Sequence, residues 1–536
     1  MSTDDCDFIE SPFPHPWWHP SAPNVPQAKT VDEWTMLDLV NMMKDKPDWK
    51  TKVNDETFLT NWKHEIKQQW DAKAADIDTL ISLVIKELKW TIKTEQTIIP
   101  YKVSVDERII CSNEVINENL RLKVIEQIDS LKLSFKVLDY HPGSKKQIIN
   151  LVHPSLYAFQ YGITPIINVK GEIEVSEYDP TYVIAKEVNE WGISENHQLL
   201  PSLFKYNHDS NIFEIKSYIN NLHPIKHKSL YLSLQSIFNE VIPGINYVLS
   251  KYASKELIRI KWEDGEYYRE EFLDESGELI DDDDDDGGDF DENCSENLKL
   301  KDKLILPIIN SNHYNDVTID LKSFDEIKVI VKIIDIELTP ENPVYEGSSW
   351  SVAGLINEDI IATIGYFYDE ENITQSYLSF QVGFADPDYK AGDSNFCEQV
   401  YGIKEEQEMT RKIGSIGIKP NQIVIFPNII QSQNESFQLK DMTKPGKRRA
   451  IYFYLVDPYN NRVISTEKVP IQQQDWWEDN ILPLQLKEKI QALNCELPQS
   501  MEIAKEVRQE LIWERTEDFG EDAYYEHPYV REFELY

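Results

Sequence analysis

Five runs of β-branched and aromatic residues, at 327–338, 360–368, 377–382, 422–426 and 449–456, crowd into one stretch of this chain. Each is long enough for a strand, and Gly, Pro, Asn and Asp residues punctuate the gaps between them. Strands at this spacing, separated by turns, predict an antiparallel jelly-roll or barrel. Ahead of them, residues 31–90 read as helices. The clearest places Ile77, Leu80, Ile81, Val84, Ile85 and Leu88 on one helical face behind a capping Asp76. Residues 109–110, 132–137 and 166–169 read as further strands, and 228–241 as another helix. The expected fold class is therefore α+β: a helical N-terminal region packed on an antiparallel double-stranded β-helix (jelly-roll, cupin-like) core.

Five segments follow from this reading. Residues 1–30 are a Pro- and aromatic-rich arm, in which Trp17 and Trp18 pack on the body or a partner. Residues 31–245 form a mainly helical region with some strands. Residues 246–302 form a connector carrying an acidic loop, residues 303–480 the jelly-roll core, and residues 481–536 a helical acidic tail. The acidic loop holds the unbroken run from Asp281 to Asp286. Between Asp274 and Glu296 there are 13 acidic residues and no basic one, so like charges oppose packing and predict a disordered loop. Deleting 274–296 is expected to leave the thermal midpoint nearly unchanged, because closure entropy changes slowly with loop length. A large drop on calorimetry would show that the run is docked.

The 536 residues carry a formal charge of −40, which repels phosphate backbones and argues against nucleic acid or an anionic membrane as a partner. No apolar run approaches the length of a membrane span. The N-terminus is acidic and lacks the apolar region of a signal peptide. Cys6, Cys111, Cys294, Cys397 and Cys495 are scattered and form no CxxC pair, which suits reduced thiols in the cytoplasm or nucleus. No P-loop, GxGxxG, GxSxG or HExxH motif is present.

Three segments carry a resemblance. They are Tyr345-Glu346-Gly347-Ser348-Ser349-Trp350-Ser351-Val352-Ala353-Gly354, Phe426-Pro427-Asn428-Ile429-Ile430-Gln431-Ser432, and Lys444-Pro445-Gly446-Lys447-Arg448-Arg449. They resemble a fungal family of unknown function, the domain of unknown function numbered four-two-four-six, whose members look like iron- and 2-oxoglutarate-dependent oxygenases. Leu151-Val152-His153-Pro154-Ser155 and the segment from Tyr218 to Pro224 match the same family. In it the first segment usually reads Trp-His-Val-Glu-Gly and the second ends Gln-His. The resemblance implies that these two histidines and the glutamate form the facial triad of a non-haem Fe(II) site.

Here the three matching positions are Ser351, Ala353 and Ser432, and no histidine stands between His313 and His527. Hydroxyls and a methyl group are poor iron ligands, so the resemblance implies a scaffold kept and a metal lost. Arg448 matches the arginine that would clamp the far carboxylate of 2-oxoglutarate, with Lys447 and Arg449 beside it in a basic pocket. Asn220 and Asn221 are expected to hold a turn or cap the next helix, and His223 is a structural histidine or a general base.

Two functions are open. One is a catalytically degenerate oxygenase-like protein that works by binding a protein partner or a small anion such as a dicarboxylate, with no cofactor. The alternative is an Fe(II)/2-oxoglutarate-dependent oxygenase with non-standard ligands, drawn from Glu358, Asp359 or Asp369.

Overall fold

The computed structural model describes residues 11–18, 25–69, 77–168, 170–177, 192–254, 258–262, 304–305, 317–387, 397–478, 487–488, 490, 497–515 and 532–533. Asp76 and the acidic stretch 274–296, with its Asp281–Asp286 run, lie outside the described residues.

The body is a nine-stranded antiparallel sheet. In chain order its strands are β1 (Lys102–Val103), β2 (Ile110–Ser112), β3 (Ile148–Val152), β4 (Ser202–Asn207), β5 (Ile212–Ile215), β6 (Glu326–Leu338), β7 (Ile360–Glu371), β10 (Gln422–Pro427) and β12 (Gly446–Val456). Across the sheet the order is β1, β2, β10, β7, β12, β6, β4, β5, with β3 pairing on the other half of β6. A three-stranded sheet contains β8 (Tyr377–Gly383), β9 (Thr410–Gly417) and β11 (Ile430–Asn434), in the order β9, β8, β11. Val344–Tyr345 pairs with Phe437–Gln438 beside it. The two sheets share one core, in which Phe380 of β8 stacks edge-on against Phe426 of β10 at 5.2 Å.

Period-two alternation divides each central strand between two faces. On β6, Ile327, Val329, Val331 and Ile333 join the core cluster that includes Ile237, Phe238, Val241 and Ile245 of the helix Lys228–Ala253. Each fully buried side chain of this kind contributes roughly 1.5–3 kcal/mol. The opposite face of β6 carries Ile330, which clusters with Ala353 and Tyr454, and Ile336, which clusters with Tyr345 and Phe437. That inner face is the one the candidate site occupies.

Two local expectations are corrected, and one strand was not foreseen. Residues 132–137 are not a strand: they begin in the last turn of the helix Glu118–Ser134. Asn117 caps that helix, and Val124, Ile128 and Leu131 give it a buried face, whereas Leu133 and Val137 are exposed. The helix predicted to end near Val241 continues to Ala253 through Pro243. Proline in a helix costs about 3 kcal/mol, offset here by burial of Ile245, Val248, Leu249 and Tyr252 beyond it. Finally, β9 had no counterpart in the sequence reading. Its burial is largely partial, so its apolar pattern is weak.

The arm packs on the body. Phe13 and Trp17 are buried, and the Trp17 indole N–H donates to the Gly354 carbonyl at 3.1 Å. Trp17 leaves no room at Gly192, where a Cβ would sit 2.3 Å from its side chain.

On the helical side Arg259 is almost fully buried. It donates to Glu87 at 2.8 and 3.2 Å and lies 3.9 Å from Glu33 and 3.8 Å from Glu107. Its backbone N–H and that of Ile260 both donate to Glu33. One guanidinium thus faces three carboxylates from separate parts of the chain.

Candidate functional site

Ser351 and Ser432 are direct cross-strand partners. The Ser351 N–H donates to the Ser432 carbonyl at 3.2 Å, and the Ser432 N–H returns a bond of 3.0 Å. Ser351 is exposed, while Ala353 and Ser432 are partly buried. Ala353 is gripped through its backbone: its N–H donates to the Asn428 side-chain oxygen, and Asn428 Nδ2 donates back to its carbonyl, both at 2.8 Å. The chain then turns at Gly354, whose φ of +68° favours glycine. Sequence reasoning quoted Asn428 within a motif but missed this role.

Iron needs imidazole nitrogen or anionic oxygen at about 2 Å. Two hydroxyls and a methyl group do not fit that requirement. Among the described residues, no group of three or more His, Cys, Asp or Glu side chains is placed to hold a metal. The neighbouring carboxylates are engaged elsewhere. Glu358 accepts from the Leu199 and Leu355 backbone N–H groups and from Arg515. Asp359 accepts from Asn460, and Asp369 pairs with Lys447 at 3.1 Å.

The basic triplet of β12 is split by strand alternation, which corrects the expected shared pocket. Lys447 and Arg449 face outward. Arg449 binds Asp335 at 3.1 Å and Asp129 at 2.8 Å, and Lys447 reaches Asp369 and Glu371. Arg448 points to the inner face and is 1% exposed. One of its nitrogens donates to Asn434 of β11, and its plane lies over Phe367 at 5.1 Å and Phe437 at 5.3 Å. Its Nε and Nη1 have no hydrogen-bond partner. Glu370, opposite it in register, is held by Ser376 at 2.8 Å, and burial raises its pKa. Arg448 is thus a buried cation with two donors that lack a hydrogen-bond partner, and its charge draws the Glu370 carboxyl down against the rise from burial and acts on the Tyr452 hydroxyl.

The two remaining family-like segments lock together. Asn221 donates to the carbonyls of His153 (2.8 Å) and Leu156 (2.9 Å), and Asn220 to those of Leu156 and Tyr157. His223 is buried against Trp476, and its Nδ1 accepts the backbone N–H groups of Ile225 and Lys226. These contacts make His223 part of the turn that starts the helix Lys228–Ala253.

Helices packed on antiparallel sheets, with an inward arginine and a two-serine bridge, describe the class of this molecule. A family model described as a protein of unknown function (DUF4246) matches residues 78–480, and the N-terminal domain of the same family matches residues 4–65. The chain belongs to the DUF4246 family.

No curated protein matches it. Among solved structures it is similar to the Fe(II)/(alpha)ketoglutarate-dependent dioxygenase TqaL (TM-score 0.28, 9% identity, covering 70% of this chain and 90% of that one). It is also similar to IDO from Bacillus thuringiensis (TM-score 0.17, 10% identity, 26% of this chain), where the match spans 48%, about half, of that protein. A bsmA homolog from Methylobium petroleophilum PM1 matches with TM-score 0.23 and 8% identity, over 63% of this chain and 85% of that one. Among the described residues, no helix is long and apolar enough to cross a membrane.

Proposed function

We propose that this chain is a catalytically degenerate jelly-roll protein that binds a small dicarboxylate on its inner face. The strand order supports the jelly-roll. From β6 onward, successive strands pass between the larger sheet (β6, β7, β10, β12) and the smaller one (β8, β9, β11, with Ser351 bridged to β11). The observation that carries the binding reading is Arg448: a buried guanidinium with two unmatched N–H groups that reaches Asn434, two residues along β11 from Ser432. Its planar fork suits a carboxylate.

Calorimetric titration of the metal-free protein with 2-oxoglutarate or glutarate tests this. Wild type should bind, and Arg448→Met, which keeps the packing on Phe367 and Phe437, should bind roughly 10- to 100-fold more weakly. Equal binding by the variant would remove the reading. Stoichiometric iron in the purified protein, or succinate formed from 2-oxoglutarate, would move the assignment to an oxygenase with other ligands.

A further inference from the structure

The inner face holds a second cation. Lys332 of β6 lies opposite Tyr452, on the same face as Arg448, which lies opposite Ile336. The register offset of four residues separates the two positions by about 13 Å along the strands. Unlike Arg449 on the outer face, Lys332 has neither an ion pair nor a hydrogen bond among the described residues.

Close by, His153 follows β3 and is 8% exposed. Its Nδ1 accepts the Ser155 backbone N–H at 3.3 Å and lies 2.6 Å from the Ser155 hydroxyl; a ring nitrogen that accepts from the backbone carries no proton of its own, which assigns the proton of the neutral ring to Nε2 and makes the hydroxyl a second donor. That Nε2 is buried without a partner. The Asn221 side chain fixes the His153 carbonyl, so the ring is held in place.

Resting on the dicarboxylate reading of Arg448, we propose that Lys332 and the His153 Nε2–H form a second anion-binding position, which takes the far carboxylate of a short-chain dicarboxylate anchored at Arg448. Two donors left unmatched on one side and two more at Arg448 give the inner face a cationic group at each end. A ligand with a carboxylate at each end satisfies both, with the two long side chains completing the span.

The surrounding charges agree. Burial, and then the charge of Lys332, pull His153 well below the usual histidine range; burial with Lys332 and Arg508 brings His141 down to about 4. Arg508 itself is held by Asp139 at 2.6 and 3.2 Å. Tyr452 and Tyr454 are kept protonated by burial. Burial alone lowers the Lys332 amine to about 8, with no carboxylate acting on it. Both histidines are therefore neutral near neutral pH, and Lys332 is the group that titrates.

Calorimetric titration with glutarate, adipate and butyrate tests the proposal on wild type, Lys332→Met, Lys332→Arg and Arg448→Met. Lys332→Met should weaken the better-fitting dicarboxylate roughly 10- to 100-fold and leave butyrate unchanged, whereas Arg448→Met should weaken both. Dicarboxylate affinity in wild type should hold from pH 6.5 to 7.5 and fall as the pH passes about 8; the Met variant should lack that fall. Without ligand, Lys332→Met should melt no lower than wild type, since it removes an unpaired, desolvated charge. If it melts lower, Lys332→Arg decides: retained dicarboxylate binding supports the proposal, and lost binding overturns it. Loss in Arg448→Met with none in Lys332→Met overturns this second position and leaves the Arg448 reading intact. No effect of either substitution, or no binding by wild type, removes both.

Discussion

Replacing Ser351→His, Ala353→Glu and Ser432→His together is expected to give the chain an Fe(II) site at these three positions. The backbone already holds two of the three positions side by side. Residues 351 and 432 exchange both backbone hydrogen bonds, which sets their Cα atoms about 5.5 Å apart with side chains on one face. Ala353 lies two residues further on, in the bend that precedes Gly354, and Asn428 clamps its backbone at both ends. Two imidazoles and a carboxylate would then surround one point, the facial arrangement that suits non-haem iron. Metal analysis after anaerobic loading should give about one iron per chain in the triple variant. Double variants, each one ligand short of that facial set, should retain far less after desalting. No iron in a folded triple variant would mean that the strand ends diverge and the assignment of these positions is wrong.

Arg259→Met should cause the largest loss of stability, about 3–5 kcal/mol, because breaking a buried ion pair strands the partner charges. Glu87 would lose two hydrogen bonds, and Glu33 and Glu107 a cation within 4 Å. The loss should depend on pH. Burial already raises Glu107 above the ordinary carboxyl value, and Arg259 opposes that rise. Removing Arg259 raises it further, so the folded variant binds a proton more readily than the unfolded chain. The penalty should then be smallest at acid pH, below the unfolded carboxyl range. It should grow as the pH rises through the folded value and be full at neutrality. Urea unfolding at pH 5 and pH 7.5 measures this. An equal penalty at both would show that Arg259 acts through packing alone.

Much of the sheet was legible because its central strands are apolar on both faces. The runs at 327–338, 360–368 and 449–456 stand out for that reason, and the strands Glu326–Leu338, Ile360–Glu371 and Gly446–Val456 contain them. Thr410–Gly417, with Arg411 and Lys412 and little full burial, gave no such signal. Residues 132–137 misled because Leu131, Leu133 and Phe135 alternate as in a strand, while the cap at Asn117, well upstream, governs the segment.

At the site, motif matching singled out Ser351, Ala353, Ser432 and Arg448, but it placed Lys447 and Arg449 in the same basic pocket as Arg448. Only the register shows that the middle one turns inward. Lys332 was missed for a related reason. A lysine inside an apolar strand reads as a solvent-facing break in the pattern, and its lack of a partner is a three-dimensional fact.

The strand order also bears on how the chain is made. In the large sheet β12 lies between β6 and β7, and β2 pairs with β10, so residues near 111 hydrogen-bond with residues near 424. Closing such long loops before the pairing stabilises anything slows folding. During synthesis β6 and β7 emerge first, with the edges that β12 will occupy still open and strongly apolar. Until Gly446–Val456 has left the ribosome those edges are free to pair wrongly. The nascent chain must therefore be shielded until late in its translation, and changes that slow elongation near codon 450 should cost soluble yield more than the same changes near codon 500.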